Sequence, residues 1–272
     1  NTVVGKSSAT ENTTGTDNTS LGSQALQLNT TGDRNTALGK DALRYFIASN
    51  NTAIGVDALQ GVNGSSTGSD NVAIGYLALA SDTTGANNVS VGKESLEANT
   101  TGGQGVAVGR KALEANTTGD NNTAVGHFAL GSNTTGGNNV AIGRESLGAN
   151  TTASNLTSVG YFALASNVSG SGLAAFGQGA LQNNTASNNT ALGAIALQTN
   201  TTGASNTAVG RSALTANTTA DNNTAVGANA LTANTEGFSN TCVGSGAGSL
   251  ITTGDYNVAM GHGALDALTT GG

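Results

Sequence analysis

Two consecutive stretches decide the fold: residues 105–121 read GVAVGRKALEANTTGDN, and residues 122–138 read NTAVGHFALGSNTTGGN. Each has 17 residues, and the glycine after the apolar triplet recurs at this interval, which changes only to 16 before Gly55 and Gly193 and to 20 before Gly75. The recurring glycines are Gly5, Gly22, Gly39, Gly55, Gly75, Gly92, Gly109, Gly126, Gly143, Gly160, Gly177, Gly193, Gly210, Gly227, Gly244 and Gly261. A unit this short cannot bury a core alone, so neighbouring units must stack. The sequence therefore predicts an all-β solenoid, or β-roll, of sixteen 17-residue coils, forming a single repeat domain over residues 1–272.

Numbering each unit so that this glycine is position 5 gives the consensus N-T-A-V-G-x-x-A-L-x-x-N-T-T-G-x-x. Position 4 is always apolar, position 2 is Thr or Val except at Ala174, and position 9 is Leu except at Ala9 and Gly248. Positions 2 and 4 share one face of a strand, and their β-branched residues suit a strand. We therefore predict two short strands per coil, with positions 2, 4 and 9 inside and stacked asparagines at position 1. The residues that test this inward set are Val108, Leu113, Val125, Leu130, Val209 and Leu214.

Positions 3 and 8, here called the small-residue columns, carry a second signal. Position 3 is Ala or Ser except at Val3 and Cys242, and position 8 is Ala or Ser in every unit. Either another chain packs closely against these columns, or they fill a narrow corner of the coil interior. The first interpretation predicts a parallel homotrimer, in which Ala129→Arg or Ala163→Arg disrupts assembly.

The composition of the chain argues against two kinds of partner, nucleic acids and the interior of a membrane. The chain carries only 9 Lys and Arg against 16 Asp and Glu, without a basic run, which argues against a nucleic-acid partner. No stretch approaches the roughly 20 apolar residues that span a bilayer, so no membrane insertion is expected in this segment. Because both ends fall inside a repeat, we expect a fragment of a longer fibrous protein.

Catalytic, cofactor-binding and metal-binding residues are not predicted anywhere in the chain. His127 and His262 both occupy position 6 but lie eight units apart, too far to share a metal. The Asn-Thr-Thr triplets match glycosylation acceptors, yet turns are the simpler interpretation. The irregular segment between Arg44 and Thr67 is either a recognition loop or tolerated surface variation.

The repeat unit also resembles repeats of two known kinds of fibrous protein. Asn71-Val72-Ala73-Ile74-Gly75, residues 139–143 and residues 257–261 resemble the head repeats of trimeric autotransporter adhesins. The Asn-Thr-Ala-Val-Gly and Asn-Thr-Thr-Gly segments are also similar to arrays in phage tail-fibre and tail-spike shafts. The resemblance covers essentially the whole chain and implies a left-handed β-roll in which three chains share an interior. The unit here is longer than in those head repeats.

Three function classes follow, and the least specific of them covers other scaffolds, including a glycan-modifying fibre whose enzyme domain lies outside this segment. The first is a non-enzymatic structural or adhesive fibre, an extracellular adhesin head or stalk or a phage tail-fibre shaft. It would lie on a bacterial surface or a virion and have a host-cell receptor, a surface or a glycan as partner. Aromatic residues at positions 6 and 7, such as Tyr76, Phe128 and Tyr161-Phe162, either stack on sugars or pack along the edge. The alternative is an ice-binding solenoid with Thr ladders at positions 2, 13 and 14. Alternation of Thr with Val at position 2 argues against it, because an inward site behaves that way.

Overall fold

The computed structural model describes residues 1–62 and 66–271, and none of these residues is helical. The chain is a parallel β-solenoid, as predicted, and divides into two compact units, Asn1–Asn138 and Asn139–Gly272. Each coil contributes one strand of three residues. In the first unit the strands are β1 (Thr2–Val4), β2 (Thr19–Leu21), β3 (Thr36–Leu38), β4 (Thr52–Ile54), β5 (Val72–Ile74), β6 (Val89–Val91), β7 (Val106–Val108) and β8 (Thr123–Val125). In the second unit they are β9 (Val140–Ile142), β10 (Thr157–Val159), β11 (Ala174–Phe176), β12 (Thr190–Leu192), β13 (Thr207–Val209), β14 (Thr224–Val226), β15 (Thr241–Val243) and β16 (Val258–Met260).

Successive strands within a unit pair in parallel without any slip in register. Val89 lies opposite Val106 and Val91 opposite Val108. The longer interval before Gly75 leaves this register intact, since Thr52 lies opposite Val72. Each repeat position therefore forms an in-register column along its unit.

The direction in which the strand side chains point corrects the prediction. Position 9 is inside, as predicted, with Leu113, Leu130 and Leu214 fully buried. Positions 2 and 4 point outward, and the prediction for them is wrong: Val108 and Val125 are 37% and 36% exposed. Position 3 points inward instead.

The small-residue columns face each other across the coil interior. Ser90 Oγ at position 3 lies 2.6 Å from Ser95 Oγ at position 8, and Ser146 Oγ donates to Ser158 Oγ over 2.7 Å. The two walls of the coil approach so closely that only Ala, Ser or Cys fits between them. The narrow-interior interpretation of these columns is confirmed, so they give no reason to place a second chain against them.

The wall opposite the strand is a series of turns, and the predicted second strand is absent from the described residues. Lys111 and Leu113, at positions 7 and 9, have φ angles of 59° and 53°. Their N–H groups still bond to neighbouring coils, with Leu113 N–H donating to the Ala129 carbonyl over 3.0 Å. A left-handed residue costs about 1–2 kcal/mol, whereas burying a Leu side chain yields about 1.5–3 kcal/mol. Burial therefore keeps leucine where the backbone alone would favour glycine.

Asparagines bond along the stack at both position 12 and position 1. At position 1, as predicted, successive asparagines are linked, mainly through the backbone: Asn88 N–H donates to Asn71 Oδ1 over 2.9 Å. At position 12 the side-chain amides bond one another directly, as a ladder. Asn116 Nδ2 donates to Asn99 Oδ1 over 3.0 Å and to the Gly119 carbonyl over 3.0 Å. At position 1, Asn88 Nδ2 donates to the Gly102 carbonyl over 2.9 Å, which ties the two corners of one coil together. Both columns are buried, which is sustainable because their amides are hydrogen-bonded.

Candidate functional site

The outward side of the strands is a continuous surface of uniform chemistry in each unit. We call the side chains at positions 2 and 4 of β1–β8, or of β9–β16, the strand face of that unit. Position 2 holds Thr, Val or one Ala, position 4 holds only apolar residues, and neither column contains a charge. Strand geometry spaces these side chains by about 4.8 Å along the column and about 7 Å across it.

The strand face exposes an amount of apolar surface that requires an explanation. Ile142 is 40% exposed and Leu192 is 47% exposed, and the other position-4 residues range from partly exposed to largely exposed. Eight strands of three residues cover roughly 38 Å by 10 Å. Apolar patches of about 300–600 Å² are the largest on a typical monomer and often mark interfaces. The strand face is therefore the candidate functional site.

The most apolar part of the strand face lies at β5, β6 and β7. In these strands Val replaces Thr at position 2, so both columns present only aliphatic groups. The side chains concerned are Val72, Ile74, Val89, Val91, Val106 and Val108. This patch is where a partner would remove most apolar surface from water.

The edge beside the strand face, at positions 6, 7 and 10, carries most of the charge. Lys93 Nζ lies 3.0 Å from Glu94 Oε1, and Lys111 Nζ lies 2.7 Å from Glu114 Oε1 and 3.6 Å from Glu94 Oε2. Burial, with the charges of Glu94 and Glu114, raises the pKa of the Glu97 carboxyl above its usual value.

Carboxylate oxygens of Glu94, Glu97 and Glu114 lie within 4.8 Å of one another, a grouping that the sequence analysis missed. Glu94 and Glu97 are three residues apart in the sequence, and Glu114 joins them from the next coil. The ammonium groups of Lys93 and Lys111 already supply the positive charge that a cation would bring. We therefore interpret the cluster as an ion-pair network.

The aromatic residues singled out in the sequence pack along this edge. The Tyr161 and Phe162 rings meet edge to face with centroids 4.3 Å apart, and the Arg144 guanidinium lies 5.7 Å from each ring centroid. His127 is partly buried beside Phe128, with ring centroids 6.5 Å apart.

A further aromatic pair escaped the sequence analysis. The Phe238 and Tyr256 rings are 5.1 Å apart, and Tyr256 is 70% exposed. These residues belong to consecutive coils and lie at positions 16 and 17 of the repeat, outside the consensus. Only the stacking of coils brings them together.

Several residues of the irregular segment between Arg44 and Thr67 pack against the coils or bond within them. Phe46 is fully buried at position 12, where it replaces a ladder asparagine, and it bridges to Ser66. Arg44 lies 3.3 Å from Asp41 and 4.8 Å from the centroid of the Tyr45 ring. Residues 63–65 of this segment, for which the sequence left recognition and tolerated variation as alternatives, lie outside the described residues.

The Asn-Thr-Thr triplets and Cys242 both have structural roles in the coil interior. Asn-Thr-Thr triplets begin at the buried position-12 ladder, where the amide nitrogen of Asn116 is already bonded twice, so they serve as turns. Cys242 is a free, buried thiol at position 3, and burial raises its pKa to about 11. A thiol in that state is a small apolar filler.

No helix among the described residues is long and apolar enough to cross a bilayer. No protein-family model matches the chain, and no curated protein matches it. The geometry of the strand face is what points to a function.

Proposed function

We propose that this chain is a segment of an extracellular structural or adhesive fibre, an adhesin head or stalk or a tail-fibre shaft. In this fibre, copies of the chain pack through their strand faces as a parallel homotrimer. The observation that supports the proposal is the uncharged apolar column at position 4, whose side chains point outward from every strand. Covering it contributes about 25 cal/mol for each Å² of apolar surface removed from water.

A second copy of the chain is the occupant that best fits this face. The columns are in register and repeat at the strand spacing, so another stack of strands with the same spacing offers a matching side chain at each step. Three copies around one axis would close three strand faces into a single dry core. The small-residue columns, which first suggested a trimer, have no part in this interface because they lie inside each coil.

A charge at the centre of the strand face should therefore separate the copies. We expect Val89→Lys together with Val91→Lys to convert the assembly into folded monomers of about the 26.3 kDa chain mass. Both side chains point outward, so the coil itself should keep its circular dichroism spectrum. Light scattering at micromolar concentration measures the mass.

Lys93→Ala is the matched control, two residues further on, at the charged edge. It should leave the assembly intact, because an exposed ion pair contributes little. A wild-type chain that is monomeric at these concentrations, or a double variant that remains oligomeric, would contradict the strand-face assembly.

Ice binding is the second candidate, and one observation favours it. Position 2 points outward, so its alternation between Thr and Val does not mark an inward site. Thr207 and Thr224 lie opposite each other in register on β13 and β14, with Val209 and Val226 beside them. Rows of hydroxyl and methyl groups on a flat sheet can order water. The threonines at position 13 are less able to bind water, because their hydroxyl groups bond to the next coil: Thr100 Oγ1 donates to the Thr117 carbonyl over 3.0 Å.

Thermal hysteresis separates the two functions. We expect the purified chain to show none, because assembly covers the strand face and keeps it from an ice surface. Hysteresis from a monomeric chain, lost in Thr207→Lys with Thr224→Lys, would replace the fibre proposal with ice binding. Arg211→Lys, outside the strand face, is the control that should change nothing in either case.

A further inference from the structure

One rung of the position-12 ladder holds a carboxyl in place of an amide. Asp82 is fully buried, and its Oδ1 accepts a hydrogen bond from Asn99 Nδ2 over 2.9 Å. Its other oxygen, Oδ2, is buried and has no hydrogen-bond partner. A buried carboxylate oxygen without a donor is costly, so the protonation state of this group needs an explanation.

The neighbouring coils show which atom belongs where Oδ2 lies. A β-carbon on Gly68 would lie 2.7 Å from Asp82 Oδ2, and a β-carbon on Gly85 would lie 2.8 Å from Asn99 Nδ2. Oδ2 thus takes the place that the amide nitrogen takes one coil later. There, Asn99 Nδ2 donates to the carbonyl of Gly102 over 2.9 Å. The corresponding carbonyl for Asp82 is that of Gly85, which already accepts a hydrogen bond from Asn71 Nδ2 over 2.9 Å. Since the Gly102 carbonyl accepts from two side-chain amides, the Gly85 carbonyl can accept a second hydrogen bond in the same way, provided that Oδ2 carries a proton.

We propose that Asp82 is protonated in the folded chain and donates its Oδ2 proton to the Gly85 carbonyl, which makes its coil, residues 71–87, a pH-sensitive joint. A neutral carboxylic acid has one acceptor and one donor, like an amide, and so completes the ladder. When the carboxyl ionises, two carbonyl-type oxygens face each other in a buried site. The coil must then open or admit water.

The surroundings of Asp82 agree with this assignment. The groups that face it are the Asn99 amide, the Gly85 backbone and the Ser66 hydroxyl, which donates to the Asp82 carbonyl over 3.1 Å. None of these groups ionises. Burial raises the pKa of the Asp82 carboxyl to about 8, against the lowering effect of the bonds from Asn99 and Gly85.

The joint adjoins the irregular segment between Arg44 and Thr67. Ser66, which bonds to Asp82, belongs to that segment, and Phe46 occupies the preceding regular rung of the ladder. Ionisation of Asp82 would therefore loosen the coil that anchors this segment. The inference does not depend on the fibre function, because it concerns the interior of one chain.

The sign of the pH dependence follows from the two pKa values. The carboxyl has its ordinary value of 3.8 in the unfolded chain and about 8 in the folded chain. Between these two pH values the folded chain binds one more proton at Asp82 than the unfolded chain does. The contribution of Asp82 to stability is therefore fully present below pH 3.8 and is lost as the pH rises towards about 8. The ratio of unfolded to folded chain should rise by about tenfold per pH unit in this interval because of Asp82 alone.

Asp82→Asn tests the assignment with a variant that restores the ladder and should fold. We expect the folding equilibrium constant of the wild type, divided by that of this variant, to fall by about tenfold per pH unit between pH 4 and pH 8. Amide exchange at Gly85 and Asn99 should accelerate with pH beyond its intrinsic rate in the wild type only. Infrared difference spectra between the two proteins should show a protonated carboxyl at pH 6. Identical pH profiles, or a carboxyl that titrates near 3.8, would overturn the proposal.

Discussion

Gly109→Ala is expected to unfold the coils around it, with a loss of about 2–6 kcal/mol in the free energy of unfolding. Gly109 has a φ of 135°, which L-residues rarely adopt, and an added β-carbon would lie 2.5 Å from the Gly126 carbonyl oxygen. The obstacle is backbone in the next coil, so no side-chain rotation relieves the clash. The midpoint of urea unfolding measures the loss.

Gly246→Asn is the matched control for that substitution. Gly246 lies at position 7 with a φ of 69°, and no atom lies within 4 Å of an added β-carbon. Asn229 holds the same position one coil earlier with a φ of 59°, so asparagine is compatible with this backbone. We expect a change within about 1 kcal/mol. Equal losses in the two variants would show that close approach of the coils does not explain the glycine column.

Ala129→Arg and Ala163→Arg are expected to prevent their coils from folding, a stronger effect than the loss of assembly predicted from sequence. Both alanines are fully buried between the strand and the turns. An arginine there would place an unpaired charge in a space that holds only a methyl group, which costs more than about 4 kcal/mol. Far-UV circular dichroism and the yield of soluble protein measure this effect, and both signals should be lost.

Ala228→Arg controls for the added charge. Ala228 is exposed at position 6, and Arg211 occupies the same position in the preceding coil. This variant should fold and assemble as the wild type does. If Ala163→Arg instead gave a folded monomer, position 8 would lie outside the coil, and the original trimer interface would be restored.

The sequence by itself determined the repeat, the solenoid and the location of the strand at positions 2–4. It also determined the inward leucine at position 9, because only a buried site retains Leu in almost every unit. The glycine at position 5 was a clear signal as well, since no other residue can adopt its φ so close to the next coil. These features depend on local conformation and on the period, which a single unit already displays.

The candidate site could not be predicted in this way, since the strand face consists of residues that the sequence analysis assigned to the core. One usable signal lay in the size of the side chains. Positions 3 and 8 stay small almost throughout, whereas position 4 ranges from Val108 to Phe176 and Met260. A tightly packed interior tolerates little change of volume, and an outer surface tolerates much. Asp82 passed unnoticed because Asp and Asn both suit a turn.

Only the tertiary structure decided which face of each strand is inside. Alternation along the strand shows that positions 2 and 4 share one face and that position 3 lies on the other. It does not show which of the two faces is buried. The choice depends on how close the second wall comes, and that wall is a left-handed turn whose shape no sequence period reveals. Its backbone, held by hydrogen bonds to neighbouring coils, leaves room at positions 3 and 8 for a methyl or a hydroxyl group only. The larger aliphatic side chains are therefore on the surface, where a partner can cover them.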